Sequence, residues 1–190
     1  MKEEKFKLNT FIGGWYINPK ICDDVIKYYE KSYRKKPGEV GKGYIKSDCK
    51  KSTDIVLNAR DTLFDDYNIE LQLCLEHYTK KYPETAFSIG RYDSYSEPYN
   101  IQRYLPGEGF YNFHCERNFG YQRRCLVFMT YLNDVTDGGT IFKYQKITTL
   151  AKKGLTLIWP SDFTHTHKGQ IAHQTKYILT GWYNFIDKEK

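Results

Sequence analysis

The chain has 190 residues, 40% of them apolar and 17% aromatic, a composition that fits one globular domain with a sizeable core and excludes a disordered polymer. No apolar run is long enough to span a bilayer, and the opening MKEEKFKLNT lacks the apolar stretch of a signal peptide. The net charge of +6 comes without any nucleic-acid-binding motif, so a nucleic-acid partner is not expected.

The first predicted element is a helix in NPKICDDVIKYYEKSYRK, residues 18–35. Asn18 can cap it, and Pro19 sits at the first helical position, where its missing N–H costs nothing. Ile21, Val25, Tyr29 and Tyr33 follow at i+4 spacing and define its apolar face. Residues 31–51, KSYRKKPGEVGKGYIKSDCKK, hold much of the positive charge. They read as a solvated basic loop or as part of a rim that attracts a partner. A second helix is predicted in NIELQLCLEHYTKKYP, residues 68–83, with Leu71, Leu75, Tyr78 and Tyr82 on one stripe and Pro83 closing it. His77 lies on this helix and reads as a surface or packing residue.

Near residue 100 the pattern changes to strands. IQRYL is short and extended and ends at Pro106-Gly107. RRCLVFMTYLN is a nearly continuous apolar run rich in β-branched and aromatic residues, which predicts a strand buried on both faces. NDVTDGG is a turn, and TIFKYQ, GLTLIWP and KYILTGWYNFI complete the set. Helices followed by antiparallel strands indicate an α+β domain with a sandwich or roll. The five cysteines are odd in number and irregularly spaced, without any CxxC, which points to reduced thiols in a cytosolic setting.

Chemistry concentrates in two places. YNFHCERNFG, residues 111–120, places His114 two positions before Glu116. About 50 residues later THTHKGQIAH supplies His165 and His167 between two strands. Two histidines and a carboxylate with coordination positions left open make the facial triad of non-haem iron(II) oxygenases. A zinc deaminase also uses HxE but needs a PCxxC partner, which is absent. A cupin places its HxH pair first in the chain, whereas here HxH comes last. In the final strand Lys176, Ile178, Thr180 and Trp182 share one face. A lysine on an apolar strand face either snorkels to water or meets an anion in a pocket.

The segments RYLPGEGFYNFHCE, RRCLVFMTYLNDVTDGGTIF, LIWPSDFTHTHKG and KYILTGW together resemble the iron(II)/2-oxoglutarate-dependent dioxygenases, within them the prolyl 4-hydroxylase-like branch, and small oxygenases of phage and marine microbial type. The resemblance covers about residues 101–186. It implies a double-stranded β-helix (a jelly-roll) buttressed by amino-terminal helices, all in one domain over 1–190, with 1–100 as helical support and substrate rim and 101–190 as the catalytic core. It implies Fe(II) held by His114, Glu116 and His167. His167 is preferred to His165 because the family's basic residue follows its distal histidine by nine or ten positions. It implies 2-oxoglutarate bound by Lys176 with Tyr104 and Tyr131, and Thr180 and Trp182 as outer supports of the site. Dioxygen as co-substrate, succinate and CO2 as products, L-ascorbate as a further cofactor and a peptidyl, first of all prolyl, substrate are expectations of the same origin. Tyr92, Tyr95 and Tyr99, with the basic 31–51 segment, are candidates for the substrate rim. Glu116 stands where the family usually has aspartate. That departure keeps a second expectation open, a metal-weakened β-roll that binds without catalysing.

Overall fold

The computed structural model describes residues 1–41, 43–58, 64–85, 92–93 and 97–185. Eight strands and two helices build the frame: β1 (Gly13–Tyr16), α1 (Pro19–Lys31), β2 (Thr53–Leu57), α2 (Asp65–Lys81), β3 (Tyr99–Tyr104), β4 (Arg124–Tyr131), β5 (Thr140–Phe142), β6 (Leu155–Pro160), β7 (His167–Gly169) and β8 (Lys176–Phe185). The large sheet runs β1-β6-β4-β8-β3-β2, extended by short strands Lys2–Glu3 and Lys36–Pro37 at its two ends. A small sheet pairs β5 with β7 and with Ile147–Thr148, and a two-residue pair joins Lys50–Lys51 to Gly109–Phe110. These pairings are antiparallel, as a double-stranded β-helix requires. No helix of the described residues is long and apolar enough to cross a membrane.

β4 shows why its sequence is apolar throughout. All eight residues are buried. Alternate side chains serve two cores: Leu126 and Phe128 pack under the helices with Tyr29, Tyr67 and Leu71, whereas Val127, Met129 and Tyr131 face Phe142, Leu157 and Trp159 inside the roll. Gly181 on the neighbouring β8 lets the Phe128 ring lie flat against the strand, since a Cβ there would fall 2.3 Å from that ring.

The helices correct the expectation at their ends. Asn18 caps α1, its side chain accepting from the Lys20 N–H, and Pro19 opens it. The helix stops at Lys31, so Tyr33 is not on its apolar face and is 98% exposed, while Cys22 joins Val25 and Tyr29 in the core. α2 starts three residues earlier than predicted and buries Tyr67 and Cys74 beside Leu71, Leu75 and Tyr78. His77 is exposed and stacks on Trp15. The first half of the chain is also not purely helical support. It contributes β1 and β2 to the large sheet, where they pair with the backbone edges that β6 and β3 would otherwise leave open.

Candidate metal centre

His114 sits in the segment after Gly109–Phe110, where its backbone forms a lone two-way bridge to His167 at the start of β7 (N–H to O distances of 3.0 and 2.9 Å). Glu116 follows two residues on, and its N–H donates to the Ser161 carbonyl at 3.1 Å. This pinning brings donor atoms of His114, Glu116 and His167 within 4.8 Å of one another. Glu116 Oε1 lies 3.3 Å from His114 Nε2 and 3.7 Å from His167 Nε2.

The imidazoles are aimed by their other nitrogens. His114 Nδ1 lies 3.1 Å from the Asn112 carbonyl, and His167 Nδ1 lies 2.8 Å from the His165 carbonyl. A carbonyl can only accept, so each Nδ1 donates and each Nε2 faces the cluster, where it donates to Glu116 when the ring is protonated and offers its lone pair to a metal when the ring is neutral. Phe110 stacks on His114 with ring centroids 3.7 Å apart, and Trp159 and Phe142 flank His167. Burial pushes the His167 imidazole down, against the raising effect of Glu116. Burial alone would raise the Glu116 carboxyl, but hydrogen bonds and charge from His114 and His167 outweigh it and hold it well below the usual carboxylate range. Octahedral ligands about 2.1 Å from a metal stand about 3 Å apart, so this donor set fits one divalent ion with little movement.

His165, the alternative ligand, is turned away. Its Nε2 meets the Thr10 carbonyl at 2.9 Å, and its Nδ1 lies 3.0 Å from the Thr164 hydroxyl. It serves the cluster through its own backbone carbonyl, on which His167 rests.

A cavity of about 820 Å³ opens over the cluster. Lys176, Ile178, Thr180 and Trp182, the predicted face of β8, all line it. Lys176 is 4% exposed, and its ammonium donates to the Gly138 and Gln170 carbonyls at 3.1 and 3.0 Å. Among the described residues no carboxylate lies within ion-pair distance of it. Burial alone pushes its pKa down to about 8. At the Gly138–Gly139 turn a Cβ on Gly139 would fall 1.8 Å from the Thr149 carbonyl oxygen, so the close packing of this turn against Thr149 requires glycine. Tyr104 is the register partner of Lys176 and lies under its ammonium, with its hydroxyl donating to Gln102 Oε1 at 2.7 Å. Tyr131 hydrogen-bonds Thr140 and Thr149, and burial pushes its phenol up to about 12. Thr180 donates to the Phe128 carbonyl, and the Trp182 indole N–H donates to Glu116 Oε2 at 3.0 Å.

The rim expectation is met only in part. Lys36, Glu39 and Lys50 of the basic segment line the cavity, with Lys50 paired to Asp54 at 2.6 Å. Tyr99 is fully buried and points into the helix-side core, because β3 alternates and its odd positions, Tyr99 and Ile101, face away from the cavity. Tyr95 and the side chain of Tyr92 lie outside the described residues. Arg124 was not anticipated. It donates from Nη1 to Glu116 Oε2 at 3.2 Å and from Nε and Nη2 to Glu97 at 2.6–3.1 Å. A charge at the mouth of a fully buried strand was the available signal, the same oddity that marks Lys176.

A β-roll with a two-histidine, one-carboxylate cluster beside a cavity is built to hold one metal ion with coordination positions left open. Residues 99–184 match the model of the 2OG-Fe(II) oxygenase superfamily. That family implies Fe(II) and 2-oxoglutarate. No curated protein sequence matches the chain. Among solved structures it is similar to a prolyl hydroxylase from Trichoplax adhaerens in complex with a hypoxia inducible factor peptide fragment (17% identity, 94% of this chain and 86% of that one, TM-score 0.71). It is also similar to a Pseudomonas putida prolyl-4-hydroxylase (13%, 93% and 93%, TM-score 0.68) and to the viral collagen prolyl hydroxylase of Paramecium bursaria Chlorella virus-1 (16%, 93% and 97%, TM-score 0.66). These likenesses establish the shared fold.

Proposed function

We propose that this chain hydroxylates a C–H bond of a peptidyl residue, proline first, with 2-oxoglutarate and dioxygen as co-substrates and succinate and CO2 as products. One observation carries the reading: a single cavity holds both the His114–Glu116–His167 cluster and a buried ammonium, Lys176, that meets no carboxylate among the described residues. Bound iron(II) supplies dioxygen activation coupled to decarboxylation of the keto acid.

The protein's residues divide the remaining work. His114 and His167 present Nε2 lone pairs, and Glu116 offers one oxygen and the compensating charge. Lys176 holds the distal carboxylate of 2-oxoglutarate by a charge-assisted hydrogen bond. Tyr104 and Tyr131, kept neutral by burial, close the sides of that pocket. Trp182 and Thr180 fix the wall between the two ends of the cavity. L-ascorbate enters the reading as the reductant on family resemblance alone, and the unpaired cysteines fit a cytosolic setting.

The similar structures include a collagen prolyl hydroxylase and a prolyl hydroxylase holding a peptide. Phe110 and Tyr121 are among the residues that line the cavity, and aromatic linings suit proline-rich segments. The test is a peptide-library screen with Fe(II) and 2-oxoglutarate, read by a mass gain of about 16 Da, one oxygen atom. Oxygen insertion at proline supports the reading. Insertion only at other residues keeps the hydroxylase and removes the prolyl assignment. The competing reading, a β-roll that binds without catalysing, predicts no 2-oxoglutarate turnover at all.

A further inference from the structure

Glu116 is one methylene longer than the aspartate usual among the relatives it resembles. A longer side chain has one more torsion to fix and a second oxygen that can swing toward the metal. Either change would loosen the ligand or occupy a position that co-substrate and dioxygen need.

We propose that Arg124 is a positioning residue that, with the Trp182 indole, clamps the far oxygen of Glu116 and turns a long carboxylate into a one-oxygen ligand. The proposal rests on the reading that His114, Glu116 and His167 hold the metal. Glu116 Oε2 accepts from Arg124 Nη1 at 3.2 Å and from Trp182 Nε1 at 3.0 Å. Its other oxygen, Oε1, is the one that faces both imidazoles. Arg124 Nη1 also reaches the Glu116 backbone carbonyl at 3.4 Å, so it spans the residue from main chain to carboxylate.

The clamp is itself immobilised. Arg124 is 6% exposed. Glu97 takes its Nε–Nη2 edge in a bidentate pair. The guanidinium carbon lies 3.7 Å from the Tyr121 ring centroid and 3.5 Å from that of Trp182, so both faces are covered. Trp182 therefore works twice, as a donor to Glu116 and as a platform for the arginine. A buried arginine needs a carboxylate for its own sake, and Glu97 alone would satisfy that need. The second edge, spent on Glu116, is what a merely structural role leaves unexplained. Lysine cannot substitute, because a point charge cannot hold two carboxylates in one plane and stack between two rings.

The test is anaerobic Fe(II) titration of the full chain, with visible spectra of the Co(II)-substituted protein as a readout of coordination independent of activity. The unaltered protein binds one Fe(II). Arg124→Gln weakens binding by about tenfold to a hundredfold, the usual effect of losing a partner that orients a metal ligand. Arg124→Lys does not restore it. Trp182→Phe keeps an aromatic face for the guanidinium but removes the N–H donor; it weakens binding by several-fold and alters the Co(II) spectrum, and it decides the matter if Arg124 variants fail to fold.

A double-mutant cycle separates clamping from folding. Aspartate at 116 is too short to reach the clamp, so Glu116→Asp is costly when Arg124 is present and adds at most about threefold when Arg124 is already Gln. Fully additive losses, or Arg124→Gln and Trp182→Phe proteins that bind Fe(II) like the parent with an unchanged Co(II) spectrum, overturn the clamp. Failure of the parent itself to bind Fe(II) overturns the metal site on which the clamp depends.

Discussion

Removing the Lys176 ammonium tests the co-substrate pocket on its own. Two of its three donors are spent on the Gly138 and Gln170 carbonyls, leaving one N–H and the full charge for a ligand. A charge-assisted bond in a dry pocket is worth about 1.5–3 kcal/mol, so Lys176→Ala should weaken 2-oxoglutarate by roughly tenfold to a hundredfold. The affinity of the metal should change little, because Lys176 has no contact with the ligand cluster. Burial depresses the folded pKa to about 8, below the ordinary value of 10.5. Since the charged form binds the carboxylate, affinity should be flat below about pH 7 and fall as pH rises through 8, by up to about tenfold per pH unit. The linked stability runs the other way. Between about pH 8 and 10.5 the unfolded chain holds the proton that the folded chain has lost, so this group's cost to the ligand-free fold shrinks as pH rises across that window. The assay is calorimetric titration of 2-oxoglutarate into Mn(II)-loaded protein from pH 6.5 to 9.5, for the parent and Lys176→Ala. An affinity unchanged by the substitution, or an identical pH slope in both proteins, would refute the reasoning.

The metal cluster yields sharper contrasts. His114→Ala should abolish stoichiometric Fe(II) binding at micromolar concentration in an anaerobic titration, and retention of one tight iron would place the site elsewhere. His167→Ala should remove activity. His165→Ala should keep the metal but lose about 1–3 kcal/mol of stability in chemical denaturation, because it strands the buried Thr10 carbonyl; the reverse pattern would show that the wrong histidine has been assigned. Glu116→Gln should lose Fe(II) and turnover, having no charge to offset the ion, and Glu116→Asp should lose at least tenfold in Fe(II) affinity although it installs the residue usual in the relatives.

The strands that build the site are the ones with an unambiguous pattern. β4 reads as buried on both faces because it is, and β8 reads correctly because its even positions form one wall of the cavity. His114, Glu116, His167 and Lys176 are legible for a related reason: polar groups set into apolar strands or aromatic runs have no cheap alternative. β1, GGWY, is only four residues long and opens on two glycines, poor strand formers, and is held by pairing to β6. Tyr33 fits the helical period but lies beyond a helix that ends earlier, where Ser32 already accepts an extended backbone. Tyr99 looked like rim because aromatic residues cluster near it, yet strand alternation sends it to the core. The Arg124–Glu97 pair joins residues 27 apart in sequence, a contact that only the fold creates.

Succinate production from 2-oxoglutarate by the purified chain tests the account most directly. Under air with added Fe(II), the parent should release succinate, and the His167→Ala protein, folded by the same thermal melt, should release none above the metal-free background. Parent protein that binds Fe(II) and 2-oxoglutarate yet forms no succinate with any peptide, or a His167→Ala protein that forms it at the parent's rate, would contradict the assignment of this cluster as an oxygenase centre.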